Sequence, residues 1–183
     1  MLDHAEELFL RNGFSRVDME EVAGRAGTGK ATVYRHFGSK NALFDAVMDR
    51  YFDRIASQVA AIVERHESNV DKIKLLVVRL ASELTRLGDD FWGDLERYRY
   101  DKYRSVVAFR RHLVEDYVGT IVERGQQTGE FRDDIPRSVV TTLILAAVER
   151  LSAAPVDEVT TYTYGEIVEM IVSIAVFGIV RKG

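Results

Sequence analysis

Apolar residues recur at three- and four-residue spacing along nearly the whole chain rather than in alternation, and that period predicts helices throughout. A first helix is predicted from about Leu2 to Asn12, with Ala5, Leu8 and Phe9 on one face and Gly13 closing it as a left-handed cap. A short second helix starts after Asp18, where Asp18 and Glu21 are spaced as a capping pair, and it buries Met19, Val22 and Ala23. Gly27 turns the chain into a third helix carrying Lys30 to His36, which Gly38 breaks. Ser39 caps a much longer fourth helix, in which Phe44, Val47, Met48, Tyr51, Ile55, Val59, Ile62 and Val63 hold the spacing.

The pattern continues. A fifth helix is expected around Ile73, Leu76, Val77, Leu80, Leu84 and Leu87, ended by Gly88, and a sixth, aromatic and densely charged, over Phe91 to Tyr103. Val106, Phe109, Leu113, Tyr117 and Ile121 mark a seventh that stops between Gly125 and Gly129. Pro136 is placed where a helix N-terminus tolerates it, opening an eighth that runs to about Leu151, and a ninth spans about Tyr162 to Val180. These last two are apolar nearly all round. A helix with no wet face must be covered on both sides, which predicts a homodimer joined through residues such as Leu143, Ala147, Ile171, Ala175 and Gly178. The longest apolar run, Ile171 to Val180, is about half of the roughly 20 residues a membrane span needs, so no membrane partner is expected.

Composition sharpens this all-α picture. The chain has 46% hydrophobic and 30% charged residues, the balance of a folded globular protein, and only two prolines, Pro136 and Pro155. It has no cysteine, which excludes disulfides, thiolate catalysis and Cys-ligated zinc, and Met1 to Glu7 lacks the basic-then-apolar order of a signal peptide. A cytoplasmic location is expected. The net charge of −4 argues against bulk attraction to nucleic acid. Between Arg11 and Lys40, however, six basic residues face only Asp18, Glu20 and Glu21, a local excess suited to contacting phosphates.

The stretch from Asp18 to Lys40, DMEEVAGRAGTGKATVYRHFGSK, has the requirements of a helix-turn-helix. Ala23 is small enough for two helices to approach, Gly27 can take the left-handed turn without a Cβ clash, and Val33 is β-branched and apolar on the second helix. That arrangement leaves Lys30, Ala31, Thr32, Tyr34 and Arg35 pointing outward. With Gly13-Phe14 before it, the Lys30-Ala31-Thr32-Val33-Tyr34-Arg35-His36-Phe37-Gly38-Ser39-Lys40 run and Leu43-Phe44 after it, the first 50 or so residues resemble the TetR-type DNA-binding domain. The resemblance implies a three-helix head over 1–48 and a helical bundle over 49–183 that binds a ligand and dimerises. It implies that Tyr34 and Lys40 hold phosphates, that Thr32 and His36 assist, and that Lys30, Ala31 and Arg35 lie nearest base edges. The partners would be a palindromic operator in double-stranded DNA and a small effector, with no cofactor. Two places depart from the family's habit: Asp18 replaces a usual Thr, and Thr28-Gly29 replaces an apolar residue and Ser so that Thr28 is expected as the cap of helix three; the basic arm that many members carry before helix one is not among these residues.

Other motifs carry less. Gly24 to Ala31 satisfies a phosphate-loop pattern except that Ala31 cannot ligate magnesium, and Asp18 to Ala23 reads as a helix where that loop needs a strand. His66-Glu67 lacks the second histidine of a zinc protease at Val70, so no metal site is expected. No catalytic grouping appears, and the pairs Asp89-Asp90 and Asp133-Asp134 read as helix caps. Trp92, Tyr98, Tyr103, Phe109 and Tyr117 are the candidates for lining an effector site, favouring an apolar or aromatic molecule.

Overall fold

A computed structural model describes residues 1–84, 86–88, 91–153, 162 and 164–180, and among these the regular structure is helical. The chain forms two compact units. One contains Met1–Ile55 and Arg86–Val107, and the other Ala56–Thr85 and Ala108–Gly183. The first unit thus holds α4 as far as Ile55, beyond the division expected between residues 48 and 49, together with the distant segment Arg86–Val107.

In the head, α1 (Leu2–Arg16), α2 (Met19–Arg25), α3 (Lys30–Phe37) and the first part of α4 (Lys40–Val63) enclose one core. α6 (Phe91–Tyr98) completes it, because Phe91 and Leu95 are buried with Ala5, Leu8, Phe9, Val22, Val33, Phe44 and Val47. At its centre Phe9, Phe14 and Phe44 meet with ring centroids 5.0–6.2 Å apart, two of the three contacts edge-on, as aromatic quadrupoles prefer. Gly13 does not end α1 as a left-handed cap. It makes a non-helical kink (φ 79°, ψ 175°), and helical structure resumes to Arg16. Two contacts seat the far segment on α1. The Gly88 amide donates to the Leu10 carbonyl at 2.9 Å, and the buried Glu6 carboxylate accepts from Arg50 (3.2 Å), Arg54 (2.7 Å) and Arg86 (2.9 Å). A buried carboxylate is tolerated only when paired in this way.

The sixth helix is also shorter than its pattern suggests. α6 ends at Tyr98, Arg99 breaks the helix, and α7 (Tyr100–His112) begins immediately. α7 passes into a π-helical turn, Leu113–Val118, and then into α8 (Gly119–Thr128). Within that turn the inward positions Leu113, Val114 and Val118 step by four and five residues, the wider period of a π-helix, before Ile121, Val122 and Gly125 restore the ordinary one.

In the second unit α5 (Asn69–Leu84) packs against α8 and α10 (Tyr164–Phe177), while α9 (Arg137–Ala153) packs against α8 and α10. Leu87 lies beyond the end of α5. Pro136 directly precedes α9, as expected. The Glu130 carboxylate caps α5 from a distance, accepting from the Asn69 amide at 2.8 Å and the Asn69 side chain at 2.6 Å. Asp134 pairs with Arg132 at 2.6 Å, while Asp89, Asp90 and Pro155 lie outside the described residues.

Candidate nucleic-acid interface

α2 and α3 are joined by a turn whose geometry follows from three residues. Asp18 caps α2 by accepting from the Glu20 amide at 2.8 Å, so the acid that departs from the family's habit satisfies an otherwise orphaned helix donor. The Glu21 carboxylate does not complete a capping box; it reaches Arg25, one turn on, at 3.4 Å. At the other end Gly27 adopts φ +64°, the Gly27 amide donates to Gly24 and the Thr28 amide to Ala23, which is the paired closure of a Schellman motif. Because Thr28 closes α2, it cannot cap α3, and Gly29 takes that place. Gly24 lies in α2, so the phosphate-loop pattern has a helix where its strand would be.

Val33 is fully buried and fixes which face of α3 is inward. The opposite face therefore presents Lys30, Ala31, Tyr34, Arg35 and His36 to solvent, with Thr32 half-buried at its margin. Tyr34 is 41% exposed, which leaves its hydroxyl accessible from solvent. Lys30 lies 3.5 Å from Glu20 in an exposed pair that water screens. Ser39 caps α4 through the Ala42 amide at 3.1 Å, as its position predicts.

Lys40 has a local role that its sequence position does not reveal. Its ammonium donates to the Ser15 carbonyl at 3.0 Å and sits 4.7 Å above the Phe14 ring, leaving two of its three protons for other acceptors. Burial lowers its pKa below the ordinary lysine value, with Asp94 and Asp18 acting in the opposite direction. Ser15 is held in turn by Asp94 of α6, which accepts from both its amide, at 2.8 Å, and its hydroxyl.

Sequence reasoning missed Arg99. Only 7% exposed, it places its guanidinium 5.3 Å from the Phe14 ring centre and 5.1 Å from that of Phe44, on the core that supports α3 and α4. It donates to Asp45 at 2.5 Å, to both oxygens of Asp101 at 3.1 and 2.9 Å, and reaches the Asn41 carbonyl at 3.5 Å. Burial opposes its charge, but the bonds to Asp101 and Asp45 outweigh that effect and hold its pKa above the ordinary arginine value. The only sequence signal was an arginine at an inward helical phase, beside Leu95 and Phe91.

The five aromatic residues expected to line one effector site are divided between the two units. Trp92 and Tyr103 pack against the head core, Tyr103 stacks on Tyr100 at 5.9 Å, and Tyr98, 52% exposed, lies beneath Arg97. Phe109 and Tyr117 belong to the other unit, both half-buried, Tyr117 with its edge against His112 at 5.3 Å. Among the anticipated dimer residues, Leu143 and Gly178 are exposed and Ala147 and Ile171 are half-buried, whereas Ala175 is buried within its own unit. The outward position beside it belongs to Ile174, 73% exposed. Among the described residues no group of three His, Asp or Glu side chains is placed to hold a metal, and no helix is long and apolar enough to cross a membrane.

The sequence profile described as "Bacterial regulatory proteins, tetR family" matches residues 1–47. The HTH-type transcriptional regulator YvaF of Bacillus subtilis (strain 168) is 25% identical over 94% of this chain and 90% of its own length. Among solved structures, a transcriptional regulator from Cytophaga hutchinsonii ATCC 33406 shares the fold at TM-score 0.73 and 18% identity, covering 98% of this chain and 96% of that one. FadR from Bacillus subtilis, in complex with stearoyl-CoA, does so at TM-score 0.67 and 16% identity, covering 97% of each chain.

Proposed function

Because the chain belongs to the TetR family of bacterial regulatory proteins, and is a DNA-binding transcription regulator rather than an enzyme, we propose that it is a homodimeric repressor released from its operator by a small effector. The observation that carries this reading is the solvent face of α3, where Lys30, Ala31, Tyr34, Arg35 and His36 are exposed while Val33 is buried beneath them. Tyr34 and Lys40 bind phosphates and fix register, with Thr32 and His36 in support, while Lys30, Ala31 and Arg35 meet base edges. The protein works in the cytoplasm, where its DNA lies.

Dimerisation is supported by apolar side chains left uncovered on α9 and α10. Val139, Leu143 and Ala146 are exposed at four- and three-residue spacing on one helix, and Met170 and Ile174 at four-residue spacing on the other, with Gly178 exposed just past its end. A second copy covers them, giving four helices across a dyad. Two α3 helices then stand about 34–36 Å apart, one turn of duplex, and the operator is a near-palindrome. The effector is apolar or aromatic and binds the second unit near Phe109 and Tyr117, a reading supported by the acyl-CoA held by FadR. It prefers a conformation with the wrong spacing of heads, and that difference in affinity frees the DNA.

Selection of bound fragments from a genomic library, with and without long-chain acyl thioesters, tests the proposal. Enrichment of a near-palindrome that such a compound abolishes supports it. Failure to enrich any sequence contradicts it.

A further inference from the structure

The residues that match the DNA-binding profile end at position 47, yet the support of the DNA-facing elements does not. We propose that Arg99, at the junction of α6 and α7, is a positioning residue for DNA binding, holding the first turns of α4 and the end of α1 at Phe14 and Ser15 in register with α3.

Three contacts made by one planar group carry this. The guanidinium reaches Asn41 and Asp45, in the first two turns of α4, by separate nitrogens, and its third contact, Asp101, fixes it to the start of α7. Its face covers Phe14 and Phe44 together. Phe14 is the ring on which Lys40 also rests, and Lys40 holds the carbonyl of Ser15, whose amide and hydroxyl are taken by Asp94. The α6–α7 corner therefore grips α4 and the end of α1 at the same time, through Arg99 on one side of Phe14 and Asp94 beyond Ser15. Lys102 adds a parallel tie, 3.3 Å from Asp45 and 3.1 Å from Asp49.

The start of α4 is a place where backbone amides, the helix dipole and Lys40 favour a phosphate, so its placement decides whether a bound duplex meets that charge. Lysine cannot replace Arg99, because a single ammonium cannot reach Asp45, Asp101 and the Asn41 carbonyl in one plane while covering two rings. The segment that carries Arg99 runs at each end into the second unit, so a change there has a covalent route to the phosphate-binding end of α4.

The inference rests on the DNA-binding reading, and the experiment separates the two. Operator affinity of the full chain is measured across a series of salt concentrations for the wild type, Arg99→Ala and Arg99→Lys, with the folded fraction of each read by circular dichroism. For Arg99→Lys, folded, we expect at least tenfold weaker binding and a logarithmic salt slope shallower by about one per lost phosphate contact. A purely structural role would lower the active fraction and leave the slope alone. Wild-type affinity and slope in Arg99→Lys, or losses in both variants that only track the unfolded fraction with slope unchanged, overturn the proposal. If the wild type itself shows no sequence-selective binding, it is the DNA-binding reading that has failed.

Discussion

Tyr34 and Arg35 lie side by side on α3, and their different chemistry separates position from sequence. A tyrosine hydroxyl can give a phosphate one hydrogen bond, so Tyr34→Phe should weaken operator binding by about 1 kcal/mol, roughly fivefold, without changing the melting temperature. Arginine reads a guanine edge with two donors, so Arg35→Ala should cost about 1–3 kcal/mol and relax preference at one base of each half-site. Titrations against the operator and against variants at that base distinguish the two. An equal loss on every sequence for Arg35→Ala would assign it to the backbone instead. Lys40 shows the limit of reading residues singly. Its place at the start of α4 was legible, but its contact with Ser15 was not, because the carbonyl it meets lies 25 residues earlier.

At the scale of elements, what could be read from sequence was what bonds to its near neighbours. Asp18, Gly27 and Ser39 act within a few residues of themselves, so the ends of α2 and the start of α4 fell where they were expected. The break at Arg99 did not, since the groups that draw its side chain inward lie 54 and 58 residues away. The capping of α5 by Glu130, across 61 residues, was invisible for the same reason. Burial alone would raise the Glu130 pKa, but donors from Asn69, Thr128 and the Val70 amide draw it below the ordinary glutamate value. A carboxyl whose pKa is depressed by folding stabilises the fold above its unfolded value and ceases to do so as pH falls through the lower folded one. Glu130→Gln should lower stability at pH 7 by less than about 1 kcal/mol, since solvent screens a partly exposed carboxylate and the amide keeps one acceptor oxygen. Urea midpoints of variant and wild type should converge as pH drops below the ordinary glutamate range, and a constant gap down to strongly acid pH would count against this role. Gly88 gives a sharper test of how the far segment joins the head. A Cβ there would lie 1.9 Å from the Arg11 carbonyl oxygen, and backbone cannot step aside as a side chain can. Gly88→Ala should destabilise the protein by about 3 kcal/mol in equilibrium unfolding, and a change within a few tenths would deny that close approach.

For the whole molecule, the apolarity of the last two helices is the signal behind the proposed partner, and Leu143 and Ile174 are the exposed residues it would cover. Sequence pattern alone favoured Ala175, but the turn of α10 directs Ala175 inward and Ile174 outward. Leu143, 56% exposed, is its counterpart on α9. A carboxylate at either place would be desolvated without a partner in a packed dimer, so Leu143→Asp with Ile174→Asp should give a folded monomer by light scattering. Persistence of the dimer would place the interface elsewhere. The effector residues were the least legible, because aromatic side chains at helical spacing pack on a core as readily as they line a site, and Trp92 and Tyr103 pack on the core of the head.

The proposed function requires that two copies of the outward face of α3 read one DNA site across a dyad. It is tested most directly by measuring affinity for the selected operator before and after inserting about five base pairs, half a helical turn, between its half-sites. The two-headed account predicts a loss of about a hundredfold or more, because the second half-site is carried to the opposite side of the duplex. Unchanged affinity would contradict it.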